Sequence, residues 1–121
     1  MDIHTDTFGG EYPFKGNYVE VNGVRLHYVD EYPEGNPKAE PIVMLHGNST
    51  WSFLYRKFIP PLVKAGYSAI AVDHIGYVRS DTPRDRSLYR LKNRVGFFTG
   101  VMDHLKRKSS LNSFFCAARR Y

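Results

Sequence analysis

Apolar positions along this chain fall into regular patterns separated by polar turns. Tyr18, Val19 and Val21 precede Asn22-Gly23, and Val24, Leu26, Tyr28 and Val29 follow it. Two β-rich runs around Asn-Gly predict a hairpin, because both central positions of a type I′ turn need positive φ. His27 alternates with Leu26 and Tyr28, which places it on the opposite face as a partly exposed strand residue. Asp30 to Glu40, with Pro33, Gly35, Asn36 and Pro37, reads as a polar loop. Ile42 to Leu45 then run without a break between Pro41 and Gly47, the pattern of a short strand buried on both faces. Trp51, Leu54, Tyr55, Phe58, Ile59, Leu62 and Val63 recur at helical spacing and predict a helix facing a sheet, with Ser49 or Thr50 placed to cap its start. Pro60 and Pro61 fall inside that stripe and predict a kink or a break into two short helices, ended by Gly66 in the C′ position.

Tyr67 to Asp73 is a second buried strand, so the segment predicts a βαβ unit with a right-handed crossover between parallel strands. Leu88, Leu91, Val95, Phe98, Met102 and Leu105 define one face of a further helix, in which Gly96 and Gly100 each cost about 1 kcal/mol relative to Ala. By this alternation another buried strand should follow. Within residues 106–121 only Phe114 to Ala118 is apolar enough to serve. The fold class predicted is α/β with an incomplete mixed sheet: an N-terminal antiparallel hairpin joined to parallel strands near 42–45 and 68–72, with flanking helices. The expected organisation is an irregular arm over residues 1–16 lying on the surface, a folded part over 17–105, and a divergent basic tail over 106–121.

At 121 residues the chain is one domain at most, and its 42% apolar and 15% aromatic content is that of a globular protein. Its net charge of +5 is unevenly spread: residues 84–121 hold ten basic residues against two acidic, or +8, leaving about −3 before them. No nucleic-acid motif accompanies this charge, so it reads as the solvated face of a helix and a tail: it gives no firm evidence for a nucleic-acid partner and no membrane partner is expected, with a basic tail that binds nucleic acid or a membrane as the competing reading. The start carries no basic segment followed by an apolar core, so a soluble, unexported, cytoplasmic protein is expected. The single cysteine, Cys116, excludes an internal disulfide and cysteine-based metal binding. Asp73-His74 reads as a satisfied loop pair and Ser80-Asp81 as making a turn hydrogen bond to the backbone. No metal site and no cofactor are predicted.

In open α/β sheets ligands bind beyond the carboxyl ends of the strands, so the turn His46-Gly47-Asn48 is where chemistry should be sited. The string from His46 to Arg56 (His-Gly-Asn-Ser-Thr-Trp-Ser-Phe-Leu-Tyr-Arg) and the string from Asp73 to Asp81 (Asp-His-Ile-Gly-Tyr-Val-Arg-Ser-Asp) resemble the α/β-hydrolase superfamily. The resemblance is to haloalkane dehalogenases and their epoxide-hydrolase relatives, and it covers roughly residues 16–105. It implies a partial α/β-hydrolase fold and a parent chemistry in which an Asp at a nucleophile elbow attacks the carbon bearing a halogen. A His-activated water then hydrolyses the ester. It implies that Asn48 donates its side-chain amide to the leaving halide and its backbone N–H to an oxyanion hole, a role suited to a neutral donor in an apolar pocket. It further implies that His46 holds the loop, that Gly47 allows close backbone approach, and that Trp51 packs the start of the helix.

Three departures accompany the resemblance. Ser49 replaces the usual Pro after the Asn. Val78 stands where the family has the second Gly of Gly-x-Gly-x-Ser, and a positive φ there would cost a β-branched residue about 1 kcal/mol or more. No Asp nucleophile elbow follows Leu105, and Asp103 and His104 are neighbours on one helix that do not face each other. The sequence therefore predicts the N-terminal part of a dehalogenase-like hydrolase with a foreign tail after about Leu105, as a frameshift, a splice variant or a mis-called gene would give. No catalytic residue is assigned, and the chain is expected to be inactive alone. Its parent family acts on small molecules, halogenated ones included. The alternative is a non-catalytic binding or regulatory relative that uses its basic tail or an exposed sheet edge, the latter also open to self-association.

Overall fold

The computed structural model describes residues 3–36, 39–46, 50–106 and 113–116. Five strands form one mixed sheet in the order β1-β2-β4-β3-β5. Strands β1 (Asn17–Val21) and β2 (Val24–Glu31) pair antiparallel around Asn22 and Gly23, with φ of 49° and 80°. That is the predicted left-handed pair of a type I′ turn. β2 also pairs antiparallel with β4 (Ser68–Val72), opposing Tyr28 to Val72. β4 runs parallel to β3 (Pro41–Leu45), as the βαβ reading requires. β5 (Ser113–Cys116) runs parallel to β3 on its other side, beginning one residue before the apolar run that predicts it. The outer edges of this sheet are therefore β1 and β5.

The predicted helix after β3 is two pieces, a 3₁₀ helix over Ser52–Tyr55 and helix α1 over Ile59–Lys64. The break falls at residues 56–58, ahead of the prolines, which occupy the first turn of α1. Proline is tolerated there because those N–H groups have no helical partner anyway. Gly66 follows the cap residue Ala65 with φ of 98°, the left-handed stop expected of it. Thr50 does not cap the 3₁₀ helix, because Trp51 takes that position without a side-chain cap; Ser49 lies outside the described residues.

Alternation divides the core between the two faces of the sheet. Leu26, Tyr28, Val43, Ile70 and Val72 point to one face, where Phe97, Val101, Met102 and Leu105 of helix α2 (Leu91–Lys106) cover them. Val29, Met44, Ala69 and Ala71 point to the other, where Tyr55 and Ile59 pack with Tyr12 of the N-terminal arm. The arm is thus more than a surface segment, since Tyr12 is 1% exposed. α2 meets the edge strand closely: a Cβ on Gly100 would stand 2.6 Å from Val21 Cγ1, so this glycine allows the helix to approach.

The helical stripe over 88–105 is only half right. Met102 and Leu105 are buried as predicted, but Leu91 and Val95 are 77% and 55% exposed, and Phe97 and Val101 take the core positions. Leu88 belongs to a separate 3₁₀ helix, Arg86–Tyr89, capped by Asp85, and the extended backbone of Arg90 breaks the register before α2 begins.

Candidate functional site

The loops that leave β3 and β4 meet beyond their carboxyl ends. His46, 3% exposed, directly follows β3, and its Nε2 accepts the backbone N–H of His74, which follows β4 by two residues, at 2.9 Å. The two rings lie 4.5 Å apart edge to face, and Tyr77 lies 4.6 Å from His46. This contact fixes one loop against the other at the point where the His-Gly-Asn string begins. Gly47 and Asn48 themselves lie outside the described residues.

A cavity of about 280 Å³ opens here, floored by Leu45, His46, His74 and Tyr77 and walled by Leu91, Arg94, Val95 and Phe98 of α2. Burial, with His46 and the Arg94 charge nearby, pushes the His74 imidazole down to about 4, so it is neutral at pH 7. Arg94 is then the fixed charge of the lining. No carboxylate lines the cavity, and no metal-binding cluster occurs among the described residues. These lining groups can bind, polarise and exclude water. They contain neither a carboxylate nucleophile nor an ionised base.

Trp51 is not part of this lining. Its ring stacks on Phe53 at 5.6 Å and meets Tyr12 at 5.1 Å and Phe8 at 5.7 Å, next to the buried Arg79 guanidinium at 5.6 Å. Arg79, 2% exposed, donates to the carbonyls of Ile3 and Asp6 at 2.7 Å each and lies 4.7 Å over the Tyr12 ring. It is a buried cation held by backbone oxygens and aromatic faces, with no carboxylate partner among the described residues.

A buried polar network that the alternation of residues does not announce joins β2, the loop after β4, the 3₁₀ helix and the arm. His27 is fully buried, not partly exposed, and its Nδ1 lies 2.9 Å from Asp73 Oδ2. The pairing follows from register: Tyr28 opposes Val72, the Asp73 N–H donates to the His27 carbonyl, and the two side chains share one face. That face is covered by the arm, which is why alternation alone did not bring His27 to solvent. Asp73 Oδ1 accepts the Ser52 N–H at 2.7 Å, so the carboxylate also caps the 3₁₀ helix. Ser52 Oγ in turn lies 2.5 Å from the Tyr12 hydroxyl, whose pKa burial raises. Asp73 is satisfied, then, but by β2 and the 3₁₀ helix and not by its neighbour His74.

Ser80 and Asp81 likewise bond across the fold. Ser80 Oγ donates to the Asp73 carbonyl at 2.7 Å and accepts the His27 N–H at 2.9 Å, and Asp81 Oδ2 accepts the Arg25 N–H at 2.9 Å. These bonds fold the loop after β4 back onto β2, with Gly76 and Val78 at φ of 84° and 29°. Val78 therefore occupies the positive-φ position where a glycine is expected.

Residues 40–109 match a family described as alpha/beta hydrolase fold. The chain is similar to a haloalkane dehalogenase of Mycobacterium marinum, with 51% identity over 100 residues, covering 78% of this chain and 33% of that protein. The fold is similar to that of a haloalkane dehalogenase from Paraglaciecola agarilytica NO2, with a TM-score of 0.73 and 32% identity over 88% of this chain and 35% of that one. An epoxide hydrolase from Vigna radiata gives a TM-score of 0.72 and 26% identity over 90% of this chain and 32% of that one. The chain spans about a third of the length of the curated relatives it matches.

Proposed function

Because this chain belongs to the α/β-hydrolase fold family, in its haloalkane dehalogenase-like branch, we propose that it carries the halide- and oxyanion-side half of a hydrolase site. Asn48 is the working residue of this reading. Its side-chain NH₂ stabilises the departing halide, and its backbone N–H contributes to an oxyanion hole. Gly47 permits the close backbone approach, His46 anchors the loop, and Trp51 packs behind it. The observation that carries the reading is the His46–His74 bond, which fixes the start of the Asn48 loop at the rim of an apolar cavity beyond β3 and β4.

The same reading has these 121 residues binding without turning over. After Asp85 the acidic residue Asp103 stands alone, and none of the lining groups supplies a nucleophile. An amide donor lowers the energy of a leaving anion but cannot attack carbon. The test is halide release from 1-bromobutane by the purified chain. Release no faster than in buffer is expected. Release above that level, abolished by a single substitution, would overturn the non-catalytic part of the reading and reveal the nucleophile.

A further inference from the structure

The cavity beyond β3 and β4 pairs an apolar wall with one guanidinium. Arg94 stands in the first turn of α2, half-buried, with its Nη2 3.2 Å from the Tyr77 hydroxyl and its guanidinium 5.6 Å over that ring. The planar fork carries five N–H donors. No carboxylate among the described residues forms an ion pair with it; Asp81 and Glu11 are engaged by Arg25 and Arg56, and Asp73 by His27. Beside it Leu91, Val95 and Phe98 present hydrocarbon to the cavity. The first two are the residues that the helical stripe assigns to the core and that the fold leaves exposed. His74 adds no charge at neutral pH, because burial keeps it unprotonated.

A neutral alkane gains nothing from such a cation, whereas an apolar chain ending in an anion matches both features. A carboxylate fits the guanidinium fork bidentately, and the apolar wall weakens the competition of water for that contact. We propose that this cavity binds a short aliphatic carboxylate, its chain against Leu45, Val95 and Phe98 and its carboxylate on Arg94. The volume of about 280 Å³ is roughly nine times a water molecule's share of the liquid, which suits a chain of about six carbons. Joined to the function proposed above, the substrate class narrows to short halogenated carboxylates. That extension rests on the Asn48 reading; the carboxylate contact does not.

The experiment titrates the ¹⁵N-labelled full chain with sodium hexanoate and, separately, with 1-hexanol, following the amides of Tyr77, Val95 and Phe98. Hexanoate should bind roughly 10- to 100-fold more tightly than the alcohol, the range for hydrogen bonds to charged groups. Arg94→Gln should bring the acid to the alcohol's level, and Arg94→Lys should keep part of the preference. Arg86→Gln, in the same basic segment but outside the cavity, should leave it intact. Equal affinity for acid and alcohol, binding of neither, or equal losses in the Arg86 and Arg94 variants would overturn the proposal. Neither ligand carries a halogen, so a parallel bromide titration separates the two readings. Bromide binding without hexanoate binding removes this inference alone, and the reverse removes the halide site alone.

Discussion

Replacing Asp73 by Ala tests the buried network most severely. Asp73 is 0% exposed, with Oδ1 accepting the Ser52 N–H at 2.7 Å and Oδ2 facing His27 Nδ1 at 2.9 Å. Truncation leaves both donors buried without an acceptor. Each orphaned donor costs about 1–3 kcal/mol. With two orphaned, a loss of about 2–6 kcal/mol is expected, a large share of the roughly 5–15 kcal/mol that holds a domain of this size together. His27→Ala should cost less, because Asp73 keeps its bond to Ser52, and Asp73→Asn should fall between, because its amide oxygen still accepts there. Urea unfolding followed by far-ultraviolet circular dichroism gives all three, with the double variant closing the cycle. An Asp73→Ala protein within about 0.5 kcal/mol of the parent, the usual range for surface substitutions, would show that these two bonds do not hold the loop and place its stability elsewhere.

Three further outcomes follow from the same structure. Val78→Gly should raise stability by about 1 kcal/mol, since Val78 sits at φ of 29° and is 42% exposed; a lower urea midpoint would contradict it. Gly100→Ala should destabilise by about 1–3 kcal/mol despite alanine's better helix propensity, because its Cβ would stand 2.6 Å from Val21 Cγ1; a rise in melting temperature would show that the edge strand gives way. His74 titrates near 4 in the folded chain against an ordinary 6.5, so between those values the unfolded chain binds more protons. Its contribution is complete above pH 6.5, declines by about 2–3 kcal/mol as pH falls to 4, and levels off below. The difference in urea midpoint between the parent and His74→Asn, measured across that window, should follow this curve, and a flat difference would remove the assignment.

What the sequence made legible is what short-range physics writes into it. Asn22-Gly23 announces its turn because two consecutive left-handed residues leave few alternatives, and the runs at 41–45 and 68–72 are too apolar and too short to be anything but buried strands. The paired prolines foretold a divided helix, though the division came one turn early because proline starts a helix more readily than it interrupts one. Tertiary pairing was not legible. His27 and Asp73 meet across 46 residues of chain, and nothing in the alternation around His27 says that an arm from residues 3–16 covers its face. A carboxylate ending an unbroken apolar strand was the available signal, because a buried Asp needs donors and the nearest opposing strand must supply them. The stripe of α2 was misread for a related reason: spacing finds a face, but Arg90 interrupts the register, and Leu91 and Val95 turn to the cavity in place of the core.

In the function proposed above, Asn48 holds the halide at the loop after β3. Titration of the ¹⁵N-labelled chain with sodium bromide, against sodium sulfate at matched ionic strength, tests it most directly by following the Asn48 side-chain amide. A saturating shift of that NH₂ with bromide, absent with sulfate and lost in Asn48→Leu, is expected. An Asn48 amide that does not respond to bromide, or responds equally to both salts, would contradict it.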